Sequence, residues 1–258
     1  MQKNSTKRNS QITAEEWRVR VDLAAAFRLV DLYGWSDMLA THLSARVPGP
    51  EDHFLINPMG LLFEEITASD IIKVDIDGNI LSETELAINP AGYIIHSAVH
   101  MGHPSGNCVM HTHTAAGLGV ATQRDGLLPL TQMALAVIAH AGYHDYEGPA
   151  FDLDERERLI ADLSGNNILI LRNHGLLTVG KSVAEAFIWM YRAERACRFQ
   201  LSFQQAGAKP QEISKDIQNV SIERAKQAIS ASGHRPIGAF EWPALLRKLR
   251  RLNPGFDQ

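Results

Sequence analysis

Three histidines are the residues through which this chain could do chemistry. His111 and His113 stand two apart at the end of the apolar stretch Cys108–His113, and His174 follows a second apolar stretch, Asn167–Leu171. Side chains alternate faces along a strand, so histidines at i and i+2 project from one side within reach of a single ion. Eleven histidines in 258 residues give roughly 0.5 such pairs by chance, so the pair alone decides nothing. Arg172–Gly175, also taken alone, reads first as a turn with a satisfied histidine. A histidine ending a buried strand and followed by glycine can equally be presented to a cleft. Together the two pieces make three imidazoles, the protein-ligand number of an open catalytic zinc site. Imidazole suits other first-row ions too, so the donor set implies a divalent metal ion without fixing which.

These residues need elements to hold them. Thr13–Glu16 reads as a capping box opening a helix that runs to about Tyr33, with Gly34 as its left-handed stop. Leu43–Val47 and His53–Ile56 read as strands joined through Pro48-Gly49-Pro50. Ile71–Ile76, Asp77-Gly78 and Asn79–Leu81 read as a hairpin on a type I′ turn. Pro90 opens a helix to about Met101, and Pro104 prevents its continuation. After the Cys108–His113 strand come helices over 115–122 and 154–163 and strands over 167–171 and 176–179. Ser182–Glu185 is a second capping box, launching a helix to about Ala206. The pattern predicts an α/β fold: a three-layer α/β/α domain with a largely antiparallel central sheet. Its boundaries are a disordered tail at 1–12, the domain at 13–207, and a linker with C-terminal helices at 208–258. Those helices, around 222–229 and 242–252, pack on the domain or on a neighbouring subunit.

Composition excludes several classes. Apolar residues make up 45% and charged residues 21% of the chain, as in an ordinary globular protein. Twenty-five basic against 29 acidic residues leave a charge of −4, so no positive field points to nucleic acid or a membrane surface. Two cysteines make no disulfide framework, and without a secretory segment the expected compartment is the cytoplasm. Asp75 and Asp77 are better explained by the turn than as paired catalytic carboxylates. Gly117-Leu118-Gly119 lacks the third glycine of a dinucleotide fingerprint, and Arg247–Arg251 reads as a solvated basic helix face.

Gly92–His96 and Val109–Gly117 resemble the class II aldolase/adducin family, as do Phe54–Gly60, Thr67–Asp70, Val74–Gly78 and Arg172–Gly175. The likeness runs in order from about Glu15 to Gly207. It implies the same α/β/α fold, and a homo-oligomer, commonly a tetramer, with active sites at subunit interfaces. It also implies zinc on His111, His113 and His174. In the aldolase branch the ion acts as a Lewis acid on the adjacent oxygens of a ketose phosphate, and a carboxylate shuttles the proton.

The resemblance also exposes departures. The carboxylate position, four residues before His96, is Gly92. The phosphate-loop pattern is replaced by Leu39–His42, with Ser44 and Arg46 remaining, and an expected tyrosine falls near Met133. Gly34–Asp37, Gly60–Phe63, Asn89–Gly92, Tyr143–Tyr146 and Phe240–Leu245 are similar to adducin heads instead. The chain shows neither the neck nor the lysine-rich tail that adducins use on spectrin and actin, so no cytoskeletal role is implied.

His42, His96, His100 and His140 each read more simply as surface or packing residues. The cluster Tyr143–Tyr146 is dense in titratable groups. A histidine titrating near neutrality could replace the carboxylate, which makes His144 and His42 the candidate catalytic proton shuttles. The expected function is a metal-dependent class II aldolase-like lyase, cleaving or enolising a small hydroxylated carbonyl compound. The alternative is a catalytically silent adducin-head-like module that retains the metal.

Overall fold

The computed structural model describes residues 12–49, 52–148, 154–229 and 236–258. The expected tail, up to Gln11, and Pro50 of the first turn lie outside the described residues.

Helix α1 (Ala14–Leu32) is capped by Thr13, whose hydroxyl accepts from the Glu16 amide. The second half of the expected capping box does not form. Glu16 is buried and instead accepts from Arg20 Nε (2.8 Å) and Lys73 Nζ (2.9 Å), because the buried Arg20 and the partly buried Lys73 need its charge more than an exposed amide does. Strands β1 (His42–Arg46), β2 (His53–Ile56) and β3 (Ile72–Asp75) form an antiparallel meander. The turn after β3 is not of the mirror-image type expected. Only Gly78 takes positive φ (+88°), while Asp77 does not, and the Asp75 carboxylate accepts from the amides of Asp77 and Asn79. The return arm is reduced to a single bridge between Val74 and Ile80.

Helix α2 (Pro90–Gly102) leads to β4 (Cys108–Thr112), α3 (Ala115–Ala121), α4 (Gln132–Ile138), β5 (Ala141–His144) and α5 (Glu155–Leu163). Strands β6 (Ile168–Leu171) and β7 (Gly175–Gly180) and the long α6 (Val183–Gln205) complete the domain. The sheet order is β3-β2-β1-β4-β7-β6-β5, antiparallel throughout except for the β5–β6 pair. Alternation splits the core between two faces. Leu43, Met110, Ile170 and Leu176 pack with α1, α3, α4 and α6, while Val109, Leu169, Leu177 and Val179 pack with α2 and α5. The expected three layers and largely antiparallel sheet are those of the structure. Helix α4 and strand β5 were not expected: Ala141–His144 has no alternating apolar pattern, and it forms only as a parallel edge on β6.

The polar stretch after Gly207 turns helical earlier than its composition suggests, as α7 (Lys215–Ile229). Helix α8 (Glu241–Leu252) docks on this chain's own α1 and α6. Trp242 and Leu249 are buried, and Trp242 donates its indole N–H to Asp22. Arg28 holds the end of the chain by donating to Asn253 Oδ1 and the Pro254 carbonyl.

Between the sheet and α2 lies a buried polar chain. His100 Nδ1 is 2.5 Å from the Gly106 carbonyl, which can only accept, so the proton sits on Nδ1. Ser44 then donates to His100 Nε2 (2.7 Å) and accepts from His96 Nδ1 (2.6 Å). Burial pushes His100 down to about 4 and His96 well below its ordinary range. An unfolded histidine takes up a proton near pH 6.5, so the unfolded chain binds more protons across that window. Stability is therefore complete above pH 6.5 and lost as pH falls towards 4. His100 alone should remove about 2 kcal/mol by pH 5. Urea midpoints at pH 7, 6 and 5 check this; a flat profile would contradict it.

Candidate metal centre

The β1–β4–β7 register brings the histidines together. His111, next to last in β4, lies opposite His42 of β1 and Leu177 of β7, and His113 follows just past the strand end. His174 sits in the turn between β6 and β7, where Asn173 takes a left-handed φ of 58° and turns the chain back. Gly175 follows because a Cβ there would lie 2.5 Å from the Thr112 carbonyl oxygen. The ring centroids of His111, His113 and His174 are 4.6, 4.7 and 5.1 Å apart. One nitrogen from each ring lies within 4.8 Å of the other two.

The hydrogen bonds fix which nitrogens are available. His111 Nδ1 donates to the Leu176 carbonyl (3.0 Å), and His113 Nδ1 donates to Asp37 Oδ2 (3.0 Å). Both Nε2 atoms therefore carry lone pairs, and they face each other at 2.8 Å. Two acceptors at that distance repel unless a cation or a shared proton lies between them. Burial, followed by the neighbouring histidines, holds His111 far below its ordinary range. Burial, then His113 and His144, holds His174 down to about 4. His111 and His174 thus present neutral imidazole, the form that a divalent metal binds. The donor set fits such an ion.

The three rings open onto a cavity of about 540 Å³ that also takes in Ser36, Asp37, His42, Asn89, Tyr146 and Asn173. Asp37 is the one formally charged side chain among its described lining residues. His42 is buried, stacks on His111 at 5.8 Å, and has its Nε2 3.2 Å from the Asn89 amide nitrogen. Burial, then His113 and His174, lowers it to about 4. A Cβ on Gly92 would lie 2.5–2.8 Å from three atoms of the His42 ring. The imidazole thus fills the space through which a side chain at position 92 would leave the helix.

His144 stands apart from that cavity, beside a small adjoining crevice. Its Nδ1 is 2.8 Å from Asp162 and its Nε2 3.3 Å from Glu155, so both ring nitrogens are engaged by α5. His96 and His100 face Ser44 in the interior, and His140 packs on Trp189 at 4.8 Å. Met133 lines a different cavity, of about 740 Å³, between α4, α6 and α7.

Residues 21–201 match the class II aldolase and adducin N-terminal domain family. The chain belongs to this family. An aldolase II superfamily protein from Pseudomonas syringae superposes with a TM-score of 0.90 at 46% identity, covering 98% of this chain and 100% of the other. An L-fuculose 1-phosphate aldolase from Glaciozyma antarctica superposes with a TM-score of 0.78 at 26% identity, covering 96% and 94%. Alpha-adducin of Rattus norvegicus is 38% identical over 91% of this chain, which spans 33% of the length of that relative.

Within this class II aldolase/adducin chain, the structure gathers His111, His113, His174 and His42 at one cleft and leaves His144 outside it. Sequence reasoning passed over Asp37, which lies 76 positions before His113. Gly34–Asp37 stood out only as an adducin likeness, and no spacing rule links it to the histidine pair.

Proposed function

We propose that the protein is a metal-dependent lyase acting on a small hydroxylated carbonyl compound. His111, His113 and His174 would hold one divalent ion, zinc being the ion that the family likeness implies for three such histidines. The observation that carries this reading is the pair of facing Nε2 lone pairs at 2.8 Å, each fixed by a hydrogen bond on the far side of its ring. When bound, the ion supplies Lewis-acid stabilisation of the negative charge left on substrate oxygen as a carbon–carbon or carbon–hydrogen bond breaks. His42, neutral and lining the cleft, carries the proton in place of the carboxylate that Gly92 cannot offer. His144, held by Asp162 and Glu155, orders α5 against β5. Ser36, Asn89, Tyr146 and Asn173 bring neutral hydroxyl and amide groups to the cleft. That lining suits a non-phosphorylated hydroxy ketone or hydroxy acid at least as well as a sugar phosphate, which is ordinarily met by arginine or lysine.

A cytoplasmic homo-oligomer, a tetramer, completes the reading. Both cysteines are free and buried, and Met101, Phe240 and Tyr146 expose more than half their surface. Among the described residues no helix is long and apolar enough to cross a membrane.

The test is metal content by elemental analysis, together with turnover of a panel of 2-hydroxy carbonyl compounds before and after chelation. One ion per chain, with turnover lost on chelation and restored by Zn²⁺, is the expected result. The glycine at position 92 and the adducin likeness favour a second reading, a binding module that keeps its ion without catalysis. Stoichiometric metal with no turnover across the panel would select it.

A further inference from the structure

Asp37 lies on the loop between α1 and β1, far from the strands that carry the histidines, yet its carboxylate accepts from His113 Nδ1 at 3.0 Å. The loop around it is built rather than loose. Trp35 is 4% exposed, stacks on Tyr33 at 5.0 Å and packs at a tilt against Phe187 at 5.8 Å. Its amide donates to the Val30 carbonyl, and Ser36 Oγ donates to Asp31 at 2.7 Å. On the other side the Ala40 amide donates to the Asp37 carbonyl, closing a turn in which Met38 takes a left-handed φ of 48°. Such a φ costs a non-glycine residue free energy. The turn that bears it aims the carboxylate at His113.

We propose that Asp37 is a positioning residue for the metal centre. By accepting the Nδ1 proton of His113 it selects the tautomer whose Nε2 lone pair faces His111 and His174, and its charge makes that imidazole a stronger donor. The inference rests on the metal reading above and deepens it. A ligating imidazole without such a partner rotates more freely and samples the wrong tautomer, so both affinity and geometry suffer. His111 takes the equivalent support from the Leu176 carbonyl, which mutation of a side chain cannot remove. Asp37 is thus the side chain through which the centre can be tuned. Its carboxylate is half-exposed (51%), so its replacement leaves the core untouched.

The experiment compares the unaltered chain with Asp37→Ala and Asp37→Asn. Zn²⁺ affinity is measured by competition with a chromophoric chelator. Histidine tautomers are read from ¹⁵N spectra of the metal-free proteins, with His113→Gln assigning the signal. Asp37→Ala should weaken Zn²⁺ binding about 10- to 100-fold and convert His113 from one tautomer to a mixture. Asp37→Asn, whose amide oxygen still accepts, should keep the tautomer and lose less affinity. An Asp37→Ala protein with unchanged affinity and an unchanged His113 signal would overturn the proposal. Failure of the unaltered chain to take up Zn²⁺ would instead sink the metal reading, and the tautomer comparison would still judge what Asp37 does to His113.

Discussion

His174→Ala should leave the chain folded and take its metal content from one ion to near none. His174 is half-buried in a turn and has no part in the hydrophobic core, so truncation costs little packing. Its loss leaves buried His111 and half-buried His113 as a two-imidazole pair on one face at the end of β4. Two neutral donors fall short of the three protein ligands that an open zinc site needs. Linkage gives a second measurement. A ligand that binds only the folded state at 100 times its Kd stabilises that state by about 2.7 kcal/mol. Added Zn²⁺ should therefore raise the unfolding temperature of the unaltered chain and leave His174→Ala unmoved. A full equivalent of metal in His174→Ala would exclude a three-histidine centre.

Gly92→Ala should be costly for so small a change, by about 1–3 kcal/mol. The added carbon would lie 2.5–2.8 Å from Cδ2, Cγ and Nδ1 of His42, on a ring that is itself buried between His96 and His111. His42→Ala removes the obstacle, so the double variant should be more stable than the sum of the singles predicts. The coupling expected between groups in contact is of the order of 1–3 kcal/mol. Urea unfolding of the four proteins measures it, and additivity would mean that ring and helix do not meet. The same geometry bears on chemistry. Imidazole at 42 and a side chain at 92 compete for the same space, so Gly92→Glu should add no second proton shuttle beside His42.

Much of the scaffold was legible because it rests on local signals. Caps at Thr13 and Ser182, Pro90 at a helix start and the apolar run Ile168–Leu171 act within a few residues, and each element lies where its signal stands. Where a distant partner outbids the local one, the reading fails. Glu16 left its cap for Arg20 and Lys73, and Ala141–His144 became a strand only because β6 offered an edge. The Tyr143–Tyr146 cluster looked like a site by its density of titratable groups. The structure pairs His144 with α5 and Asp145 with Arg172, while Tyr146 of the same cluster lines the cleft.

The order of residues by itself determined the three candidate histidines, their strand and turn positions, the layered α/β architecture and the absence of a side chain at 92. Alternation along a strand and the chemistry of imidazole are local facts and need no coordinates. Only the folded chain decided which nitrogen of His111 and of His113 is free, that His42 rather than His144 lines the cleft, and that Asp37 backs His113. Those depend on distances between segments up to 76 positions apart, and a hydrogen bond across such a gap leaves no periodicity to read.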